Sequence, residues 1–165
     1  MNMKFAIVKS RINMELNNID KLHSELQARG LLEQLPSRVS SLSDQFQLRA
    51  VGSILHDFYT CAENIFKIIA RYIDESTPDG SDWHLELLQQ MSTDIANIRP
   101  YVISSQTLQY LNEYKGFRHI FRNIYGFNLI AERIERLLDL FDPTIKLLKQ
   151  DIQSFIQKMD EAISS

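Results

Sequence analysis

Glycine and proline are scarce in this chain, and cysteine is almost absent. The 165 residues include five glycines and four prolines, so few positions favour turns, and long uninterrupted segments are expected. The single cysteine, Cys61, cannot form an internal disulfide, which fits a reducing cytoplasm. We interpret Cys61 as a buried apolar side chain rather than a catalytic nucleophile.

Long apolar runs and a dominant charge are missing as well. No apolar run approaches the roughly 18 residues of a membrane-spanning helix, and the N-terminal stretch turns polar too early for a secretory signal. We therefore expect a cytoplasmic protein that does not enter a membrane. The formal net charge is −3, so any polyanion site must be a local basic patch. Metal-ligand spacings, glycine-rich phosphate loops and the serine-hydrolase elbow are absent, and we expect no metal and no cofactor.

What the chain does have is apolar residues at helical spacing. They recur every three or four residues in five segments, and no segment alternates like a β-strand. The predicted helices span about residues 5–28, 44–74, 83–98, 107–125 and 130–165. The expected boundaries are Gly30, Asp44 and Pro100. Gly126 is expected to end or kink the fourth helix. Pro143 is expected to break or bend the fifth helix, with Asp142 as the cap of its second half. The residues around Pro36 are predicted to be a connector. We predict an all-α, mostly antiparallel bundle of five or six helices, forming one domain over residues 1–165.

The stretch FRHIFRNIYG, residues 117–126, combines basic and aromatic side chains without an acid. Arg118 and Arg122 are four residues apart and share one helical face, with Lys115 nearly in line and Tyr125 close by. Arginine suits phosphate because its planar guanidinium donates two parallel hydrogen bonds. These residues alone leave two interpretations open, a solvated helix face and a phosphate-binding site.

Four segments, in order, resemble the HepT-like branch of the HEPN superfamily of ribonucleases. They are YTCAENIFKIIARYID (59–74), PDGSDWHLELLQQM (78–91), RP (99–100) and FRHIFRNIYGFNL (117–129), and the resemblance covers about residues 48–140. The family motif is an arginine, a polar residue, three further residues, a histidine, one residue and a tyrosine. In this chain the motif arginine is Arg118, the polar residue is His119, the tyrosine is Tyr125, and Asn123 stands at the histidine position.

The resemblance implies an all-α, metal-independent endoribonuclease that acts as the toxin of a type VII toxin–antitoxin pair, with tRNA as the expected RNA. In such an enzyme the 2′-hydroxyl of RNA attacks the neighbouring phosphodiester. The resemblance further implies that Arg118 stabilises the transition state and that the residue at position 123 transfers protons. Arg122, His119 and Lys115 would then bind the RNA phosphates.

The resemblance also implies two protein partners. HEPN proteins commonly form homodimers in which two motif helices face one cleft. The toxins are typically encoded with a minimal nucleotidyltransferase antitoxin, which would transfer AMP to Tyr125. The added bulk and negative charge would repel RNA phosphates and fill the cleft.

Asn123 departs from the family motif. An amide cannot transfer a proton near pH 7, and general acid–base catalysis contributes about 10²–10⁴-fold in rate. We therefore expect this chain to bind RNA and to cleave it poorly or not at all. Three explanations are open: a deliberate replacement of histidine, which we favour, a natural member that does not cleave, and proton transfer by His119, whose side chain points about 100° away from Arg118. The alternative function is a non-catalytic helical module that binds a nucleotidyltransferase or RNA.

Two further features have ordinary structural interpretations. Glu63 and Lys67, four residues apart, predict a helix-stabilising pair, with a polar contact that supports the RNA cleft as the alternative. Trp83 opens the third predicted helix beside His84, and we interpret it as a packing anchor rather than a base-stacking surface.

Overall fold

A computed structural model describes residues 3–125 and 128–164. Within these ranges the chain forms six α-helices and no strand, and this confirms the predicted all-α bundle. The helices are α1 (Met3–Ala28), α2 (Pro36–Ser43), α3 (Gln45–Ile69), α4 (Trp83–Met91), α5 (Ser105–Asn123) and α6 (Ala131–Ser164). A π-helical turn (Ala70–Asp74) continues α3. Each helix in the described part of the chain is too short or too polar to cross a bilayer.

Helix α3 is the centre of the bundle and contacts α1, α2, α4, α5 and α6. Its wide apolar face explains this position, because a helix that is apolar over most of its circumference must be covered on several sides. Phe58 of α3 shows how the core joins the helices. Its ring meets Tyr114 of α5 and Phe141 of α6 edge to face, each at a centroid distance of 5.0 Å.

The boundaries predicted at Gly30 and Asp44 lie at the end of α1 and the start of α3. Gly30 follows α1 with φ +66°, the left-handed conformation that glycine adopts at helix ends. The carboxylate of Asp44 accepts a hydrogen bond from the backbone N–H of Phe46 and begins α3. The prediction for Gly126 concerns a residue outside the described ranges, and α5 ends at Asn123.

The connector predicted around Pro36 is wrong, because residues 36–43 form α2. Pro36 occupies the first turn of this helix, where a backbone N–H has no partner to lose, and its fixed φ favours the helical conformation. Arg38 then anchors α2 to α6. Its side chain is buried and donates to the Asp139 carboxylate at 2.7 Å and to the Glu135 carbonyl at 3.2 Å.

Helix α4 ends at Met91, seven residues before the predicted boundary near residue 98. The following segment is fixed by Arg99, whose buried guanidinium binds both carboxylate oxygens of Asp74 at 2.5 and 2.8 Å. Arg99 also donates to the carbonyls of Gln90, Thr93 and Pro100. This long-range ion pair overrides the apolar spacing that continues to Ile95, so the chain leaves the helix before Pro100.

The predicted break at Pro143 is also wrong, since α6 continues through it to Ser164, and the alternative of a bend stays a prediction. A proline inside a helix costs about 3 kcal/mol or more. Burial of apolar side chains on both sides of Pro143 offsets that cost, at about 1.5–3 kcal/mol for each large side chain. These buried residues include Ile134, Leu138, Phe141, Ile145, Leu148 and Ile152. Asp142 caps no helix and instead lies 2.5 Å from Nε2 of His23 on α1.

Candidate functional site

A cleft of about 760 Å³ opens between the start of α4 and the C-terminal half of α5. It is lined by Ser81, Asp82, His84, Leu85, Lys115, Gly116, Arg118, His119, Ile120, Arg122, Asn123 and Arg133. This lining holds four permanently charged cations and two histidines against one carboxylate. The cleft is therefore strongly cationic although the chain as a whole is acidic, and its charge favours a polyanion.

Helix α5 presents its basic face to the cleft because its opposite face is fixed in the core. Tyr114 and Phe117 are buried, and the Tyr114 hydroxyl donates to the carbonyl of Leu137 on α6 at 2.6 Å. The start of the helix is held by Ser104, which accepts from the backbone of Thr107. The residues on the remaining face, spaced three and four apart, are then exposed to the cleft.

The structure brings together five of the six residues that the motif predicted. Arg118, Arg122, His119, Lys115 and Asn123 all line the cleft. His119 does so although its side chain leaves the helix at a different angle from Arg118, since the cleft is wide enough to include both. These five positions are thus neighbours of one cavity, which a solvated helix face alone would not require.

Tyr125 is the motif residue outside the cleft lining. It follows the last turn of α5, and its side chain is 73% exposed. Asn123, by contrast, contacts its own helix, because its Nδ2 donates to the His119 carbonyl at 2.6 Å. The amide of Asn123 is therefore directed back at its own helix.

Arg118 is held from behind rather than extended into solvent. Its side chain is 13% exposed, with Nη1 3.3 Å from Nε2 of His84 and Nη2 3.6 Å from Oε1 of Glu63. Its Nε is buried without a hydrogen-bond partner in the described chain. These contacts fix the guanidinium at the cleft wall and leave donor capacity for a further acceptor.

Glu63 is the buried carboxylate behind this wall. It is 1% exposed and three cationic or basic groups converge on it. Nδ1 of His84 lies 2.5 Å from Oε2, Nζ of Lys67 donates to Oε1 at 3.2 Å, and Arg118 completes the set. The predicted Glu63–Lys67 pair exists, but it is one edge of a cluster that joins α3, α4 and α5. A buried carboxylate needs such partners because an uncompensated buried charge is strongly destabilising.

Tyr59 borders the same cluster from α3. Burial raises the pKa of its hydroxyl well above the usual range, the charge of Glu63 raises it further, and Arg118 acts in the opposite direction. The hydroxyl is therefore neutral at physiological pH.

His84 is a cleft residue that sequence reasoning did not identify. No sequence pattern connects it to Glu63, 21 residues before, or to Arg118, 34 residues after. Its neighbour Trp83 packs against the hydrophobic core, which confirms the packing role, and the Lys67 ammonium lies 4.3 Å from its ring centre. Only the folded chain places the imidazole between a carboxylate and a guanidinium.

Two chemistries lack support in the described residues. No group of three histidine, cysteine or carboxylate side chains there could hold a metal ion. Cys61 is buried, and burial raises the pKa of its thiol to about 12, with the charge of Glu15 adding to the effect. A thiol with so high a pKa is a poor nucleophile, in keeping with its interpretation as an apolar filler.

The cleft can hold a multiply charged oxyanion. Arg118 supplies a fixed planar donor, Arg122 and Lys115 supply further positive charge along the same helix, and Arg133 approaches from α6. Spaced cations of this kind match the repeated phosphates of a nucleic-acid strand.

Comparison with known proteins supports a family assignment. The family described as "HepT-like protein" matches residues 50–159, which include most of α3, all of α4 and α5, and most of α6. Curated proteins and solved structures gave no match. The match covers two thirds of the chain, and the chain therefore belongs to the HepT-like family of the HEPN superfamily.

Proposed function

We propose that this chain is the toxin component of a toxin–antitoxin pair, and that it acts on RNA, with tRNA as the substrate, as a metal-independent endoribonuclease. The observation that carries the proposal is the cationic cleft, where Arg118, Arg122, His119 and Lys115 line one cavity. Family membership adds support, because the same helix carries the residues that match the HEPN motif.

RNA can be cleaved in such a cleft without a metal, because its own 2′-hydroxyl is the nucleophile. In this proposal Arg118 donates to the non-bridging oxygens of the attacked phosphate, where negative charge increases in the transition state. Its fixed position helps, since donors that are already oriented need no reorganisation during the reaction. Arg122, His119 and Lys115 would bind the adjacent phosphates and hold the strand in register.

Asn123 limits the activity that this mechanism allows. The motif assigns proton transfer to position 123, where the side chain is an amide that donates to its own helix at 2.6 Å. The experiment that tests the function compares cleavage of total tRNA by the unaltered chain and by Asn123→His, in the presence of a chelator. We expect Asn123→His to cleave tRNA faster than the unaltered chain. The increase in rate should not exceed the contribution of general acid–base catalysis, which is about 10²–10⁴-fold.

Arg118→Ala in the Asn123→His background supplies the next comparison. It should abolish cleavage, whereas Arg29→Ala, an exposed arginine at the end of α1, should not. Loss of activity in both variants, or in neither, would contradict the assignment of Arg118 to the transition state.

Control by a partner completes the proposal. A homodimer would place two motif helices at one shared cleft, and a nucleotidyltransferase antitoxin would add AMP to Tyr125. The 73% exposure of that side chain supports access by such an enzyme. Mass spectrometry after incubation with ATP and a minimal nucleotidyltransferase antitoxin should detect one AMP per chain, and Tyr125→Phe should remove it.

The second candidate is a non-catalytic module that binds RNA or a nucleotidyltransferase through the same cleft. The identity of Asn123 favours it, because an amide cannot transfer a proton near pH 7, and this amide donates to the His119 carbonyl of its own helix. If neither the unaltered chain nor Asn123→His cleaves, and both bind tRNA, this second function is correct.

A further inference from the structure

We propose that His84 is the proton-transfer residue of this cleft, with Glu63 as its positioning residue, so that the chain retains cleavage activity without a histidine at position 123. The inference rests on the proposed function, since it assigns a residue to RNA cleavage. The motif does not include His84, and the imidazole reaches the site from a different helix.

The position of the imidazole is the first argument. His84 lines the same cleft as Arg118, and Nη1 of Arg118 is 3.3 Å from its Nε2. Its side chain is 28% exposed, whereas that of Glu63 is 2% exposed. One ring nitrogen therefore faces the cleft and the other faces a buried carboxylate.

The hydrogen bonds determine which nitrogen carries the proton. A guanidinium can only donate, so Nε2 of His84 must present its lone pair to Arg118. The proton of the neutral ring is then on Nδ1, which donates to Glu63 Oε2 at 2.5 Å. A carboxylate that orients a histidine in this way holds it in the tautomer that accepts a proton at Nε2, which is the arrangement of a general base.

The charged groups around the ring come from each element packed against it. Helix α3 contributes Glu63, Lys67 and the neutral hydroxyl of Tyr59, the segment before α4 contributes Asp82, and α5 contributes Arg118. Across the cleft lie Lys115, His119, Arg122 and Arg133. Glu63 also pairs with Lys67 and Arg118. Its carboxylate therefore keeps a positively charged partner when the imidazole of His84 is neutral.

The reaction step follows from these positions. A phosphate oxygen of bound RNA accepts the Arg118 N–H groups, and this frees the lone pair of His84 Nε2. The adjacent 2′-hydroxyl transfers its proton to Nε2 while its oxygen forms a bond to phosphorus. The bond from phosphorus to the 5′-oxygen breaks, and the leaving oxygen takes a proton from water. The products are a 2′,3′-cyclic phosphate and a 5′-hydroxyl, and His84 later returns its proton to solvent.

The test uses the full chain and purified total tRNA as the probe, with cleavage rate, RNA affinity and the chemistry of the new ends measured together. The unaltered chain should produce 2′,3′-cyclic phosphate ends. His84→Gln should lower the cleavage rate by about 10²–10⁴-fold while RNA affinity is unchanged. The pH–rate profile of the unaltered chain should show an ascending limb, and His84→Gln should lose it.

A matched control is available outside the cleft lining. His23 also lies 2.5 Å from a carboxylate, that of Asp142, but it is not in the cleft lining. His23→Gln should leave the rate and the pH profile unchanged. His84→Ala should regain activity when free imidazole is added, a rescue that a purely structural role for His84 would not allow.

The outcomes separate this inference from the proposed function. If His84→Gln cleaves as fast as the unaltered chain, or if the activity is lost in His119→Gln instead, the inference is wrong and the ribonuclease function stands. If the unaltered chain binds tRNA without cleaving it and only Asn123→His cleaves, the inference is also wrong and position 123 is the proton-transfer site. If no variant binds or cleaves RNA, both fail.

Discussion

Removal of the negative charge of Glu63 is the perturbation that tests the site's architecture most directly. Glu63 is 1% exposed, and three groups depend on it, His84, Lys67 and Arg118. Glu63→Gln keeps the shape and removes the charge, so the guanidinium of Arg118, with 13% of its side chain exposed, loses its compensation.

The magnitude follows from how much of each contact is screened by water. Breaking a buried ion pair by removing one partner costs about 3–5 kcal/mol. Lys67 is 41% exposed and Arg118 is 3.6 Å away, so part of each contribution is lost to solvent, and we expect Glu63→Gln to destabilise the fold by about 2–4 kcal/mol. This is a large fraction of the stability of an ordinary domain, about 5–15 kcal/mol.

Urea denaturation followed by circular dichroism measures this difference. The matched control is Glu113→Gln, because Glu113 also pairs with an arginine, Arg136, at 3.0 Å, but both side chains are substantially exposed. We expect the control to change the free energy of unfolding by less than about 1 kcal/mol. If Glu63→Gln falls in the same small range, Glu63 is not the centre of the site, and our account of how Arg118 is fixed is refuted.

Three further substitutions or modifications test the fold. Ile12→Ala in α1 should lower the free energy of unfolding by about 2–5 kcal/mol, because Ile12 is fully buried. Ile12 lies outside the family match, so the substitution also tests whether residues 1–165 unfold as one domain. Two separate urea transitions would contradict a single domain. Pro143→Ala should stabilise the chain by about 1–3 kcal/mol, because Pro143 is exposed inside a continuous helix. Thermal unfolding measures this change, and an unchanged or lower melting temperature would show that α6 needs the proline. Burial raises the Cys61 pKa from 9.0 to about 12, so the folded chain holds less thiolate. Alkylation of Cys61 at about pH 8 should therefore be about 10³-fold slower in the folded chain than in the urea-unfolded chain. Equal rates would mean that the thiol is accessible.

The helices were predictable where one face repeats along the chain. Phe5, Val8, Ile12 and Ile19 mark α1 by their spacing alone, and they are buried as expected. The same rule placed the basic side chains of α5 together, because neighbours on a helix face are fixed by local geometry. Local patterns therefore account for most of the bundle and for five residues of the cleft.

The errors occur where distant residues decide the local conformation. Arg99 ends α4 early through Asp74, which lies 25 residues before it. His84 and Glu63 enter the site through tertiary contacts that leave no periodic trace in the sequence. The connector predicted around Pro36 is a different kind of error, because a proline at the first turn favours the start of a helix, here α2.

Helix α4 is attached to α3 and its π-helical extension at both of its ends. His84 near its first turn contacts Glu63, while Gln90 near its last turn donates to Asp74 at 2.6 Å, the carboxylate that also binds Arg99. Because buried carboxylates hold α4 at both of its ends, this helix has little freedom to move relative to α3. Under the proposed function, conformational adaptation on binding therefore falls to the RNA, and selectivity among transcripts would depend on which strands can bend into a preformed cleft.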